Sequence, residues 1–381
     1  MRNEAAAGFA LSIAALAAML WSNSPWHATY ESFWRLPVDV PGAAGAVTSL
    51  RGFVNQGLMT LFFLVVGEEL GRERREGDLR SLRNALFPLL GALGGMVGAA
   101  AVYLAATAGA HQAKGWGVPM ATDIAFALGA LALLGRSVPA GLRLFLLALA
   151  IADDVGSIIV LAAFYSSHIA IGWLAGALLL CGAAATMRRW VTAATPYLLT
   201  AAGLWIMLAR AGVEPALAGV AAGLLMPPRT GRTRLWSASH LTSNFAILPL
   251  FALANAGFTL GPGLLTTYHG AANVLVGVAA ARVVGKLAGI LVLCWVAERL
   301  GIARRPGDVT WLQMAGGAAI AGVGFTVPLL FARAAFAGHP AVLDSATAGL
   351  YAGSIAAFMI GAAILVAAGR RRRVPSRRRG R

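Results

Sequence analysis

Acidic side chains, lysine and cysteine are all scarce in this chain. Fifteen Asp and Glu stand against 31 Lys and Arg in 381 residues, and only 12% of the chain is charged. A soluble domain carries roughly 25%. With 59% hydrophobic residues and a mean hydropathy of +0.73, the chain reads as an all-α polytopic membrane protein. The bilayer then stands in for most of a soluble core. The two cysteines, Cys181 and Cys294, lie in apolar runs, which excludes a disulfide framework and a CxxC metal site. Walker A, GxSxG, HExxH and a GxGxxG following a strand are all missing. ATP-driven and metal-dependent chemistry therefore have no support, and no cofactor is expected.

What is plentiful is arginine, and its placement is informative. The formal net charge is +16, yet eight of the basic residues lie in the tail from Arg370 to Arg381. Most others sit in short connections between apolar runs. That distribution fits a positive-inside topology and contact with anionic lipid, not nucleic acid. The stretch from Phe9 to Leu20 lacks a clear cleavage site and continues into NSPW, so it reads as a retained first helix.

Apolar runs fall at about 7–22, 53–70, 84–109, 117–135, 144–166, 168–187, 191–209, 212–228, 243–262, 270–297, 309–334 and 343–367. Twelve crossings leave both termini on one side. With the termini cytoplasmic, 24 Lys and Arg lie inside, four outside, and Arg282, Lys286 and Arg333 fall within helices. One transmembrane domain over 1–368 and a basic tail over 369–381 are expected. Two crossings are interrupted by Gly and Pro: the fourth (GVPMATDIAFALG) and the eleventh (GGAAIAGVGFTVP). They occupy the middle of two three-helix groups that start on opposite sides, about 84–166 and 270–367. This is the mark of an inverted repeat whose broken helices cross at a midplane ion site. Gly94-xxx-Gly98 and Gly219-xxx-Gly223 read as close helix packing.

Asp153 and Asp154 are the only charges from Leu144 to Ser167. An ionised Asp at a helix centre costs roughly 2.5–3.5 kcal/mol on insertion scales, and neighbouring carboxylates repel. Such a pair is normally kept because a cation or proton moves there. Carboxylate oxygens suit hard cations such as Na⁺ and also accept protons. A site that holds either, but not both, is the minimal device for exchange. Asp123, beside Thr122, is the only charge between Lys114 and Arg136 and sits at the fourth-crossing break. It can compensate half-helix ends, either as part of the ion site or as a plain cap. Thr122 is an oxygen ligand or a partner for freed backbone. Lys286 is one of only two lysines beside 29 arginines. Lysine can lose its proton where arginine cannot, so an ion pair with one aspartate that breaks during a cycle is expected. Arg282 lies one turn earlier on the same face and has no assigned role. The cluster from Glu68 to Glu76 reads as a solvated helix end or as a charged funnel that gathers cations.

Several long motifs occur together and in order. ATDIAFALGALALLG (121–135), LFLLALAIADDVGSIIVLAAFY (144–165), ILPLFALANAGFTL (247–260), VGFTVPL (323–329) and GLMTLFFLVVGEELGRE (57–73) resemble the bacterial NhaA-type sodium/proton antiporters over nearly the whole chain. Inverted repeats are themselves a trait of that family. The resemblance implies that Asp154 is the main cation-binding aspartate and that Asp153 pairs with Lys286, the two carboxylates holding Na⁺. It implies that Thr122 and Asp123 stand where the broken helices cross, and that Glu69 and Glu73 belong to a pH response at the cytoplasmic funnel. It further implies that roughly 23–52 pairs two subunits into a homodimer. The chain also departs from the family. GVEPALAGV places Glu214 where a histidine is usual, Gln56 replaces an acid before GLM, Leu287 replaces a proline, and His240 lacks a following proline. Glu214 and His240 are further pH-response candidates, and the pH profile is the trait least safely carried over.

The expectation is an inner-membrane antiporter, not an enzyme, that exports Na⁺ and Li⁺ against protons electrogenically. A sodium-coupled symporter of similar fold is the rival among transporters. An intramembrane aspartyl protease is the rival among enzymes, but its Gly-x-Gly-Asp is absent.

Overall fold

A computed structural model describes residues 2–40, 47–76, 82–108, 111–123, 138–165, 170–191, 193, 195–226, 242–257 and 271–372, with Ala127, Leu131 and Leu134. Among these residues every regular element is helical. In chain order they are α1 (Arg2–Ser22), α2 (His27–Trp34), α3 (Met59–Glu76), α4 (Leu82–Ala106), α5 (Ala140–Phe164), α6 (Ile171–Met187) and α7 (Thr195–Ala211). Then follow α8 (Leu217–Leu225), α9 (Leu248–Asn255), α10 (Ala271–Ala280), α11 (Lys286–Arg299), α12 (Trp311–Ile320), α13 (Thr326–Ala335) and α14 (Pro340–Arg372). Wider π-helical turns lead into α3 (Phe53–Leu58) and α9 (Ser243–Ile247), and a third joins α10 to α11 (Ala281–Gly285). Among the described residues, five helical stretches are long and apolar enough to cross a membrane: Leu50–Glu68, Ala85–Ala106, Ala140–Phe164, Ala272–Arg299 and Pro340–Gly369.

Two regions differ from a plain run of helices. The eleventh apolar run divides into α12 and α13, and residues 321–325 between them are not helical. A 3-10 turn at His111–Gly117 leads into the fourth run, whose residues 121–123 are not helical. A helical bond from the Ala127 N–H to the Asp123 carbonyl (2.9 Å) follows it. Most of the rest of that run lies outside the described residues. Hydropathy also gives no hint of α2, which lies inside the 23–52 stretch. Its Tyr30 and Trp34 are buried, and the Tyr30 hydroxyl donates to the Leu253 carbonyl at 2.9 Å.

The chain forms two compact units. The first comprises residues 1–9, 81–157 and 261–381. Its apolar core gathers Phe87, Leu142, Phe145, Ile290 and Met314. Here α4 and α11 meet backbone to backbone. A methyl on Gly94 would lie 2.2 Å from the Gly289 carbonyl oxygen, and one on Gly98 would lie 2.3 Å from that of Gly285. Only hydrogen fits at such contacts, and within lipid this close approach is itself a source of helix association. The second unit comprises residues 10–80 and 158–260. It uses the same device between α3 and α8: methyls on Gly219 and Gly223 would lie 2.0 Å and 2.3 Å from the carbonyl oxygens of Thr60 and Leu64.

Candidate cation site

Among the described residues, five charged side chains are fully buried: Asp123, Asp153, Asp154, Arg282 and Lys286. All five belong to the first unit. Helix α5 carries the aspartate pair at its middle. The π turn at Ala281–Gly285 carries Arg282 and delivers Lys286 at the start of α11. Such turns are rare and recur at functional sites.

Interrupting a helix in apolar surroundings frees backbone groups that must find partners. Here the buried side chains meet that need one by one. The loose carbonyls of the fourth run are taken by the two cations. Arg282 donates to Pro119 (3.5 Å) and Ala121 (3.2 Å), and Lys286 donates to Met120. At the eleventh-run break, the Thr122 hydroxyl donates to the Ala321 carbonyl at 2.7 Å. Asp123 Oδ2 accepts from the Thr326 N–H (3.2 Å) and hydroxyl (2.9 Å), so it caps α13 from another segment of chain. A carboxylate there also meets the positive end of the helix dipole. The Asp123 N–H donates to the Val323 carbonyl at 3.1 Å, which ties the two non-helical stretches together. Gly324 lies so near Arg282 that a methyl would fall 2.1 Å from its Nη2. That position has no room for a side chain.

Asp153 and Asp154 are placed differently. Asp153 Oδ2 accepts from Lys286 Nζ at 2.5 Å and from the Thr122 N–H at 2.8 Å. Its Oδ1 has no hydrogen-bond partner, and neither does Oδ1 of Asp154, although both atoms are buried. Orphaned carboxylate oxygens inside a protein are costly and call for explanation. Asp123 is committed to α13, and the described acids do not close into a cage for a resident metal ion. If all five charged groups are ionised, three negative charges face two positive ones, an excess of one. A single monovalent cation or a proton restores neutrality.

The chain matches the family model described as Na+/H+ antiporter 1 over residues 1–365. It belongs to that family. Its relatives include the Na(+)/H(+) antiporter NhaA 1 of Myxococcus xanthus (strain DK1622), 38% identical and covering 96% of this chain and 91% of the relative. The Na(+)/H(+) antiporter NhaA of Anaeromyxobacter sp. (strain Fw109-5) is 40% identical over 96% of this chain and 90% of its own length. That of Acidovorax sp. (strain JS42) is 41% identical, with 94% and 89% covered. The relatives are transporters, and this antiporter chain is a multi-pass membrane protein.

Five of the residues singled out from the sequence, Thr122, Asp123, Asp153, Asp154 and Lys286, therefore lie in one buried unit of the antiporter. The pH-response candidates do not join them. Glu214 is in the second unit, where its carboxylate is hydrogen-bonded by the Gln56 side chain and the Ala216 backbone. Glu69 and Glu73 lie on α3, with side chains outside the described set, and His240 lies outside the described residues altogether. The sequence marks Thr326 as part of the eleventh-run break but not as the partner of Asp123, and it does not show the target of Arg282. Thr326 is the first residue of α13, and both its N–H and its hydroxyl turn to Asp123. Nothing in the sequence says that the arginine reaches for Pro119 and Ala121.

Proposed function

We propose that this protein exports Na⁺, and Li⁺ with it, in exchange for protons, and that Asp153 and Asp154 are the shared site for cation and proton. The observation that carries this reading is the pair of buried, unpartnered Oδ1 atoms beside the Asp153–Lys286 ion pair. A cation reaching those oxygens competes with Lys286 for Asp153. Once displaced, Lys286 keeps its bond to the Met120 carbonyl and can give up its proton, which Arg282 cannot do. Two carboxylates and a lysine provide for more than one proton per sodium, so exchange is electrogenic and draws on the membrane potential. Thr122 and Asp123 hold the interrupted segments around the pair. In this proposal the chain crosses the inner membrane twelve times as one domain with inverted repeats, its termini and basic tail are cytoplasmic, and it works as a homodimer in sodium and pH homeostasis. Glu69, Glu73, His240 and Glu214 are the proposed seats of the pH response.

The test uses everted vesicles from cells that lack sodium/proton antiporters. A respiratory proton gradient is built, NaCl or LiCl is added, and a pH-sensitive dye is followed from about pH 6 to 9. Wild-type protein is expected to collapse the gradient, and Asp154→Asn to abolish the response while still inserting. Exchange retained in that variant would remove the site assignment. A silent wild type, present in the membrane, would bring the symporter reading forward.

A further inference from the structure

A third polar atom shares the situation of the two orphaned carboxylate oxygens. Ser157 on α5 is fully buried, and its hydroxyl has no hydrogen-bond partner. It lies four residues after Asp153 and three after Asp154, so it is a helical neighbour of each.

Buried hydroxyls in helices ordinarily bond back to the carbonyl four residues earlier. Five others among the described residues do so. Thr60 donates to Gln56 (2.6 Å), Thr107 to Tyr103 (2.9 Å), Thr200 to Pro196 (2.9 Å), Ser345 to Ala341 (3.0 Å) and Thr347 to Leu343 (2.8 Å). Ser157 forgoes that bond at the carbonyl of Asp153. Ser243 is also buried and unpartnered; the residues three and four before it, His240 and Ser239, lie outside the described residues. A buried hydroxyl without a bond costs free energy unless a further group satisfies it. Asp153 Oδ1, Asp154 Oδ1 and Ser157 Oγ are thus three unsatisfied buried oxygens carried by little more than one turn of helix. Brought to one hard monovalent cation, three oxygens, two of them anionic, would supply half of a six-ligand shell. A proton needs only one of them.

We propose that the Ser157 hydroxyl is a direct ligand of the transported cation and sets the preference between sodium and lithium. The inference rests on the exchange reading above. Selectivity between hard cations follows ligand number and cavity size. Lithium, the smaller ion, is satisfied by fewer oxygens than sodium. Losing the hydroxyl therefore weakens sodium binding more than lithium binding, and proton binding at the carboxylates remains.

The test measures equilibrium binding of ²²Na⁺, and its displacement by Li⁺, on purified full-length protein, alongside vesicle exchange. Variants are Ser157→Ala, Ser345→Ala and Asp154→Asn. Ser345 is an equally buried serine of the same unit, but its hydroxyl is bonded to its own helix. Ser157→Ala is expected to raise the sodium dissociation constant and apparent KM about three- to tenfold, the value of one polar contact. The lithium shift should be smaller, with little change in maximal rate, and Ser345→Ala should change neither ion. Unchanged sodium affinity in Ser157→Ala overturns the proposal. So does an equal shift for both ions, or the same shift in Ser345→Ala, since each marks general loosening. A wild type that binds sodium but exchanges none fails the transport reading and leaves the ligand claim standing. A wild type that binds no sodium at any pH tested removes both.

Discussion

The two units join their helices in the same way and differ in what they bury. Each contains a helix pair in backbone contact through glycine, and each has a π turn leading into one of those helices: Phe53–Leu58 before α3 and Ala281–Gly285 before α11. Around its π turn the first unit buries five charges. Around its own, the second unit holds mainly neutral partners. Asn55 and Asn255 exchange amide hydrogen bonds at 3.1 and 2.7 Å, and the Gln56 carbonyl accepts from the Trp205 indole at 2.9 Å. Glu214 is the acid of that set, half-buried and held by Gln56. Scaffold and chemistry are therefore separable. Glycine contacts occur in both units, and buried charges distinguish the first.

The comparison breaks most visibly at Lys286. Replacing it with Met keeps the length of the side chain but leaves Asp153 buried without its cation. The expected loss is about 3–5 kcal/mol of stability, read as a lower melting temperature of purified protein in detergent. Adding Asp153→Asn should recover much of that loss, because an amide in place of the carboxylate needs no counter-charge. A single variant as stable as wild type would mean that the pair contributes nothing to the fold.

A smaller effect sharpens the contrast. Gly289→Ala would place a methyl 2.0 Å from the Gly94 carbonyl oxygen, and Gly219→Ala would place one 2.0 Å from that of Thr60. Both should lose a similar amount, roughly 1–3 kcal/mol, since overpacking costs the same in either unit. Only Gly289→Ala, three residues after Lys286, should also raise the apparent KM for sodium. If Gly219→Ala raises it equally, binding is not confined to the charged unit. Gly182→Ala, which meets nothing within 4 Å, should stay within about 0.5 kcal/mol of wild type.

The smallest expected change is at Glu214→Gln. Removing a charge that is already held by neutral partners should alter stability by less than about 1 kcal/mol. If the second unit takes part in pH sensing, the substitution moves the pH dependence of exchange in the vesicle assay without lowering its maximum. An unmoved profile would turn attention to Glu69, Glu73 and His240.

Much of this was legible in the sequence, for a simple reason. In an apolar segment a single charge stands out, so Asp153, Asp154, Asp123 and Lys286 could be picked out by cost alone. The glycine contacts were legible because spacing by four puts Gly94 and Gly98, or Gly219 and Gly223, on one face. Other features carry no such contrast. A π turn has the composition of the helix around it, so Ala281–Gly285 is silent in the sequence. Helix α2 is short, its polar residues blur any period, and it is fixed by tertiary contacts of Tyr30 and Trp34. Ser157 passes unnoticed because a serine in an apolar helix normally satisfies itself; only the missing bond in three dimensions makes it conspicuous. Whether Asp123 was ligand or cap could not be read from its neighbours either. Its contact with α13 runs through Thr326, which lies 203 positions away.

The glycine seam between α4 and α11 has a mechanical consequence. Side chains between helices act as springs: rotamers give way, and one helix can slide some distance before the other responds. Where Gly94 and Gly98 press on Gly289 and Gly285, backbone rests on backbone and there is no spring. The two helices behave as one bar. A push of α4 towards α11 is therefore passed on towards Lys286 with little give between the two backbones. Separating the lysine from the aspartate requires the bar to shift as a whole against α5 or the lysine side chain to swing, and a cross-link between α4 and α11 would leave both routes open.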